Sequence, residues 1–123
     1  YENHKNYFQE ISNFSKNNNN LINCKKFNRS QIIYLINKCE YFVGIDSGPS
    51  CVSGALGKKT FCIIGPTDAS LPRFNSMKKI ISDTYDKSRE VGINRCGDNF
   101  IQNDLEVKTI SVSKVFNTIV KNL

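Results

Sequence analysis

Hydrophobic residues along the chain occur in two patterns, short continuous runs and longer segments with helical spacing. Tyr41–Ile45 and Lys59–Ile64 are runs of the first kind, and they predict buried strands of a parallel sheet. The apolar residues that follow Ser30, those in Ser50–Leu56 and those from Ile110 onward have helical spacing, so each segment predicts a helix. Ser30 is expected to cap the first of these helices.

Weaker segments extend the same alternation of helix and strand. Glu2–Lys16 predicts an amphipathic helix, Leu21–Cys24 a short strand and Lys79–Ser82 a further strand. This alternation is typical of a parallel sheet with helices on both faces, joined by right-handed crossovers. We therefore expect an α/β fold, a three-layer α/β/α Rossmann-like domain. A chain of 123 residues fits one such domain, so residues 1–123 are predicted to form a single unit.

Two turns of small residues follow the two buried strands. Asp46–Pro49 comes after the first strand and opens directly into the helix predicted at Ser50–Leu56, and Gly65–Thr67 comes after the second strand. The first N–H groups of a helix have no intrahelical partner, and together with the helix dipole they favour an anion. Because ligands of such sheets bind at the carboxyl ends of the strands, the sequence predicts a site for a phosphorylated ligand beside the first turn.

Each residue of the first turn suits that site. Ser47 is a residue type common at the N-cap, Gly48 lets a ligand approach the backbone, and Pro49 fits the first turn of a helix. Asp46, at the end of the strand, can accept hydrogen bonds from sugar hydroxyls or fix the turn through its own backbone. The residue type alone leaves both interpretations of Asp46 open.

The basic composition raises the question of a nucleic-acid partner. The net charge is +6 at pH 7, but the paired lysines are scattered, at Lys25–Lys26, Lys58–Lys59 and Lys78–Lys79. No basic helix, aromatic-interleaved stripe or zinc-finger spacing accompanies them. We interpret the surplus charge as a solvated surface that can steer anionic ligands or rest on anionic lipid headgroups, and we expect no nucleic-acid partner.

The cysteines and the hydropathy indicate the compartment. The chain has five cysteines, Cys24, Cys39, Cys51, Cys62 and Cys96, and they have no C-x-x-C spacing. Four of the five lie within or beside apolar segments. Free cysteines of this kind are typical of a reducing environment, so we expect a cytoplasmic protein. Metal sites need clustered ligands, and we expect neither a metal nor a cofactor. No apolar stretch approaches the length of a membrane span.

Three short segments together resemble a known family. They are Asp46–Pro49, Ala55–Lys58 and Gly65–Asp68, and they are similar to the carboxyl-terminal, nucleotide-sugar-binding domain of glycosyltransferase family 9, the ADP-heptose:lipopolysaccharide heptosyltransferases. These enzymes have two Rossmann-like domains that face a cleft, the GT-B architecture. The resemblance implies that the chain is the carboxyl-terminal half of such an enzyme. It also implies that catalytic residues and the acceptor site belong to the amino-terminal domain, so this chain alone is not expected to catalyse transfer.

The resemblance implies a set of donor-binding residues. In the family, the aspartate at the Asp46 position binds the donor sugar nucleotide, and the turn with its following helix start holds the diphosphate. The second turn borders the donor pocket, and an acidic residue of the first helix, matched here by Glu2, contacts the nucleoside. The donor-binding residues implied are Asp46, Ser47, Gly48, Pro49, Cys51, Gly65, Pro66, Thr67 and Glu2.

One residue departs from the family pattern. The pattern reads Asp-Ser/Thr-Gly-x-x-His, and Cys51 stands where the histidine would reach the phosphates. A neutral thiol donates weakly to a diphosphate, and a thiolate, which a helix start favours, would repel it. Two functions are therefore carried forward. The first is transfer of a sugar from an ADP-heptose-like donor to a bacterial lipopolysaccharide core or another glycolipid, with peripheral contact to the inner membrane as an option. The alternative is a non-catalytic α/β module that has lost donor binding and serves assembly or acceptor recognition.

Overall fold

The structure, a computed structural model, describes residues 13, 22, 24–65, 74–85 and 108–123. The described residues form the helices α1 (Arg29–Lys38), α2 (Gly48–Ala55) and α3 (Val112–Asn122), and the strands β1 (Tyr41–Ile45), β2 (Lys59–Ile63) and β3 (Met77–Ile80). The three strands make one parallel sheet in the order β1-β2-β3. This is the α/β, Rossmann-like fold with a parallel sheet that the alternation of segments predicts.

Two compact units make up the chain, Tyr1–Ile32 and Ile33–Leu123, and the boundary between them falls within α1. The second unit holds the whole described sheet together with α2 and α3. The prediction that residues 1–123 form one domain stays a prediction.

Helices α2 and α3 contact opposite faces of the sheet. On one face, the hydroxyls of Ser53 in α2 and Thr60 in β2 share a buried hydrogen bond of 2.7 Å. On the other face, Lys59 donates its Nζ to the backbone oxygen of Asn122 in α3 at 2.9 Å. Because successive residues of a strand point to opposite faces, Lys59 and Thr60 place the two helices on different sides of β2. Within the described residues, α2 packs on one face of the sheet and the end of α3 is bonded to a lysine of the other face.

The two runs predicted to be buried strands differ in the structure. β2 is central in the described sheet, and its residues from Thr60 to Cys62 are fully buried, as predicted. β1 lies at an edge of the described sheet, and the prediction of a buried strand is wrong for it, because Tyr41, Val43 and Ile45 are exposed. The intervening residues of β1 lie on the face that α2 covers, so burial alternates along the strand.

The helix starts follow local capping chemistry. The cap predicted at Ser30 is wrong, because α1 already begins at Arg29. Asn28 accepts from the Gln31 N–H at 3.0 Å, and the Asn28 N–H donates to Oε1 of Gln31 at 2.9 Å. This reciprocal pair is a capping box, which satisfies two N–H groups that the helix leaves without partners. Helix α3 has Ser111 at its N-cap, and the Ser111 hydroxyl accepts from the Lys114 N–H at 3.1 Å.

Helix α2 ends in a Schellman motif. Gly57 has a positive φ of 69°, its N–H donates to the Gly54 carbonyl at 3.0 Å, and the Lys58 N–H donates to the Ser53 carbonyl at 3.0 Å. A residue with a Cβ is strained at this φ, so glycine suits the position. The Ala55–Lys58 segment is therefore the device that stops α2 and turns the chain into β2.

The remaining predicted elements fall partly outside the described residues. The helix predicted at Glu2–Lys16 lies outside them except for one residue. Of the strand predicted at Leu21–Cys24, the structure describes Ile22 and Cys24, and neither is in a strand, so the prediction is wrong at those positions. The strand predicted at Lys79–Ser82 exists as β3 but is shifted two residues towards the amino terminus. It pairs with β2 from Met77, opposite Thr60, to Ile80, opposite Ile63.

A matched pair of glycine substitutions tests how tightly α2 is packed. A Cβ on Gly54 would lie 2.4 Å from Cδ2 of Phe74, whereas a Cβ on Gly48 would meet no atom within 4 Å. We expect Gly54→Ala to lower the free energy of unfolding by about 1–3 kcal/mol, since the ring of Phe74 must move. Gly48→Ala should change it by less than about 0.5 kcal/mol. Urea denaturation followed by circular dichroism measures both, and equal effects would contradict the packing described.

Candidate functional site

The two small-residue turns leave the sheet at the same edge. β1 and β2 are parallel and end in register, with Ile45 opposite Ile63. The Asp46 N–H then donates to the Ile63 carbonyl at 3.1 Å, which extends the pairing by one residue. Asp46 therefore lies beside the chain that continues from β2 into Gly65, which is buried. Asp46 and Gly65 thus follow the carboxyl ends of two neighbouring strands, at the same edge of the sheet.

The first turn begins α2 through its backbone. Ser47 occupies the N-cap with an extended backbone, φ −153° and ψ 170°, and its carbonyl accepts from the Cys51 N–H at 3.1 Å. Its side chain makes no cap hydrogen bond and instead donates to the Ile45 carbonyl at 3.2 Å. Ser47 therefore occupies the N-cap position, as expected. Its hydroxyl does not cap the helix, because it donates its hydrogen bond to the last carbonyl of β1.

The start of α2 presents backbone donors to open space. The N–H groups of Ser47 and Gly48 donate to no atom of the described residues, and Pro49, in the first helical turn, has no N–H. Gly48 is exposed, and a Cβ placed on it would meet nothing within 4 Å. Free N–H groups at a helix start, in the field of the helix dipole, favour an anion. A helix start of this kind can bind a phosphate through its backbone.

Ser50 fixes this helix start against the sheet. It is fully buried, and its hydroxyl donates to the Ile45 carbonyl at 2.5 Å. Gly44 makes room for it, since a Cβ on Gly44 would lie 3.0 Å from the Ser50 Oγ. Sequence reasoning missed this role of Ser50. The pattern that indicates it is the row of small residues at helical spacing, Ser50, Ser53 and Gly54, all of which are buried.

The two remaining described site residues are Asp46 and Cys51. Both are half-buried, Asp46 just after β1 and Cys51 in the first turn of α2. The backbone hydrogen bond from Asp46 to β2 fixes the backbone of Asp46 at the carboxyl edge of the sheet, next to the start of α2. Cys51 is a free thiol, and its N–H is used within the helix. The thiol position therefore depends on the helix start that Ser47 and Ser50 hold.

Three predicted donor-binding residues lie outside the described residues: Glu2, Pro66 and Thr67. The described site residues are Asp46, Ser47, Gly48, Pro49, Cys51 and Gly65, which follow the carboxyl ends of β1 and β2. Within the described ranges, no three His, Cys, Asp or Glu side chains come close enough to hold a metal ion. The described site is thus made of backbone N–H groups, one carboxylate, one hydroxyl and one thiol.

The fold and the turns define a Rossmann-like α/β domain with a helix start open at the carboxyl edge of its parallel sheet. The model of glycosyltransferase family 9 (heptosyltransferase) matches residues 3–97, a span that includes all three strands and both turns. The chain therefore belongs to glycosyltransferase family 9, whose architecture is GT-B. No curated protein and no solved structure matches the chain. Helix α3 lies beyond the matched residues.

Ser47 and Ser50 both donate to the Ile45 carbonyl, and substituting each in turn tests which of them holds the start of α2. We expect Ser50→Ala to lower the free energy of unfolding by about 1 kcal/mol, because it removes a buried hydrogen bond to the Ile45 carbonyl. Ser47→Ala should cost less than about 0.5 kcal/mol, since its bond to that carbonyl is longer and exposed. Urea denaturation gives both values. A larger loss for Ser47→Ala than for Ser50→Ala would show that Ser50 is not the anchor.

Proposed function

We propose that this chain is the donor-binding domain of a glycosyltransferase that takes a nucleotide-diphosphate sugar. The observation that carries the proposal is the start of α2 beside Asp46 at the carboxyl edge of the sheet, where the N–H groups of Ser47 and Gly48 have no acceptor among the described residues. Membership of the family supports a nucleotide-sugar donor and a glycan acceptor in general. The donor proposed is ADP-heptose or a close relative, and the acceptor is a lipopolysaccharide core or another glycolipid.

Each part of the site has a defined use in this proposal. The N–H groups of Ser47 and Gly48, with the dipole of α2, hold the diphosphate. The Asp46 carboxylate accepts hydrogen bonds from hydroxyls of the donor, which are charge-assisted and therefore strong. The second turn, Gly65–Thr67, borders the same pocket, and Glu2 contacts the nucleoside. Gly48 keeps the space above the helix start clear, which a side chain would otherwise occupy.

The reaction proposed for the complete enzyme is a direct displacement that inverts the anomeric centre. An acceptor hydroxyl attacks the anomeric carbon while the bond to the diphosphate oxygen breaks, and the nucleoside diphosphate leaves with the electron pair. A general base outside this chain takes the hydroxyl proton. The part of this chain is to bind the diphosphate and stabilise its growing negative charge at the helix start. A cytoplasmic location is proposed with it, supported by the four free thiols of the described residues.

The Asp46 carboxylate gives the sharpest test of the site. We expect the wild-type chain to bind ADP and ADP-sugars saturably in calorimetry, and Asp46→Asn to weaken ADP-sugar binding by about tenfold or more, since a hydrogen bond to a charged group is lost. Glu40→Gln is the matched control, because Glu40 is an exposed carboxylate just before the opposite end of β1. It should bind as the wild type does.

A second variant separates loss of binding from loss of folding. Gly48→Val places a side chain where the structure has no protein atom within 4 Å, so the fold should persist while the diphosphate is excluded. Thermal unfolding of the free variant checks the fold. Absence of saturable binding to the wild type, or equal weakening by Glu40→Gln, would contradict the proposal.

Cys51 favours a second candidate, a non-catalytic module that has lost donor binding. The thiol stands where the resemblance expects a histidine to reach the phosphates, and it lies in the first turn of α2. Cys51→His distinguishes the two functions by calorimetry with ADP-sugars. A working donor site binds before the substitution is made, and we expect this result. A site that binds only after Cys51→His, or in neither form, would assign the chain to the second function.

A further inference from the structure

A cavity opens at the amino end of the sheet, where β2 and β3 begin. Its volume is about 370 Å³, and its polar lining includes Lys59, Asn75, Ser76, Lys78 and Asn122. The three strands are parallel, so this edge is opposite the one that Asp46 follows. The cavity is therefore separate from the site at the start of α2.

Two lysines give this cavity its charge. Phe61 lies opposite Lys78 in the register of β2 and β3, and Lys59 lies two residues before Phe61, so both lysines belong to the same face of the sheet. The bond of Lys59 to the Asn122 carbonyl uses one of its three ammonium protons and leaves its charge in place, because the acceptor is neutral. Lys78 is exposed and has no partner among the described residues. The described lining therefore presents two ammonium groups and no carboxylate.

Hydrogen-bond acceptors line the same cavity, in part from the end of α3. This helix, like the other described helices, lacks the length and apolarity needed to span a membrane. Asn122 donates through Nδ2 to the Thr118 carbonyl at 2.7 Å, which leaves its side-chain oxygen to accept. The Ser76 hydroxyl donates to the Gly54 carbonyl at 3.1 Å, so towards a ligand its oxygen can only accept. The cavity thus combines cationic donors with neutral acceptors.

We propose that this cavity is a docking site for an acidic segment of a protein partner. Carboxylates of the segment pair with the ammonium groups of Lys59 and Lys78, and its backbone N–H groups donate to the oxygens of Asn122 and Ser76. A bare phosphate group matches the cavity less well. It brings negative charge but no N–H donor, so the two acceptor oxygens would face anionic oxygens.

The open rim of the cavity favours a protein segment over a small molecule. Sites for small molecules enclose most of the surface of the ligand, whereas Lys59, Asn75 and Lys78 are all exposed. A segment that lies across the cavity reaches both ammonium groups without being enclosed, and the rest of its protein supplies further contact area. Exposed charge pairs of this kind fix the register of a partner more than they add affinity. The docking does not depend on donor binding at the opposite edge.

An amide chemical-shift titration of the full isotope-labelled chain with a capped hexaglutamate peptide tests the docking site. We expect saturable shifts that are largest at Gly57, Ser76 and Lys78 and absent at Ser47 and Gly48. Lys78→Gln should weaken binding about threefold, since an exposed ammonium–carboxylate pair contributes roughly that factor. The fold should persist in this variant, because Lys78 is exposed and has no described partner to lose.

Matched controls make the result specific. Lys26→Gln removes the same charge from an exposed lysine that does not line the cavity, and it should bind the peptide as the wild type does. A capped hexaglutamine peptide should not bind, and inorganic phosphate at the same concentration should not displace hexaglutamate. Absence of saturable shifts, or equal weakening by Lys26→Gln, would overturn the proposal. So would displacement by phosphate, which would show a simple anion site instead.

Discussion

Close packing of α2 on β1 and β2 through small residues is the constraint on which the rest of the structure depends. Ser50 and Ser53 are fully buried at this contact, where Ser50 bonds to the end of β1 and Ser53 bonds to Thr60 of β2. Buried hydroxyls destabilise a fold unless they are hydrogen-bonded. Here Ser50 donates to the Ile45 carbonyl, and Ser53 bonds with Thr60, whose hydroxyl also donates to the Lys58 carbonyl.

This packing places the site. Because Ser50 ties the first turn of α2 to the last carbonyl of β1, the helix start stands directly at the edge of the sheet. The N–H groups of Ser47 and Gly48 at this helix start have no acceptor among the described residues. The end of the same helix is set by Gly57, whose positive φ turns the chain into β2. The helix that would bind a diphosphate is thus fixed at both ends by contacts that no ligand needs to supply.

Much of this arrangement could be predicted from the sequence, and what could not has physical reasons. Apolar runs locate β1 and β2. Such a run has the same composition whether the protein covers one face of the strand or both faces, so the exposed face of β1 could not be predicted from the sequence. A serine is usually a surface residue, which hides the burial of Ser50. Helical spacing locates α3, but it does not show which side of the helix is covered. Val115 and Phe116 are both apolar residues, yet Val115 is half-buried and Phe116 is exposed. The Asn28 and Gln31 capping box was readable in principle from their spacing.

The central claim is that a nucleotide diphosphate binds at the start of α2. An amide chemical-shift titration of the isotope-labelled chain with ADP tests it most directly, because it reports each backbone N–H separately. We expect saturable shifts that are largest at Ser47 and Gly48, smaller at Asp46 and absent at Lys78 on the far side of the sheet. Shifts that do not saturate, or that are largest around Lys59 and Lys78, would contradict a diphosphate site at this helix start.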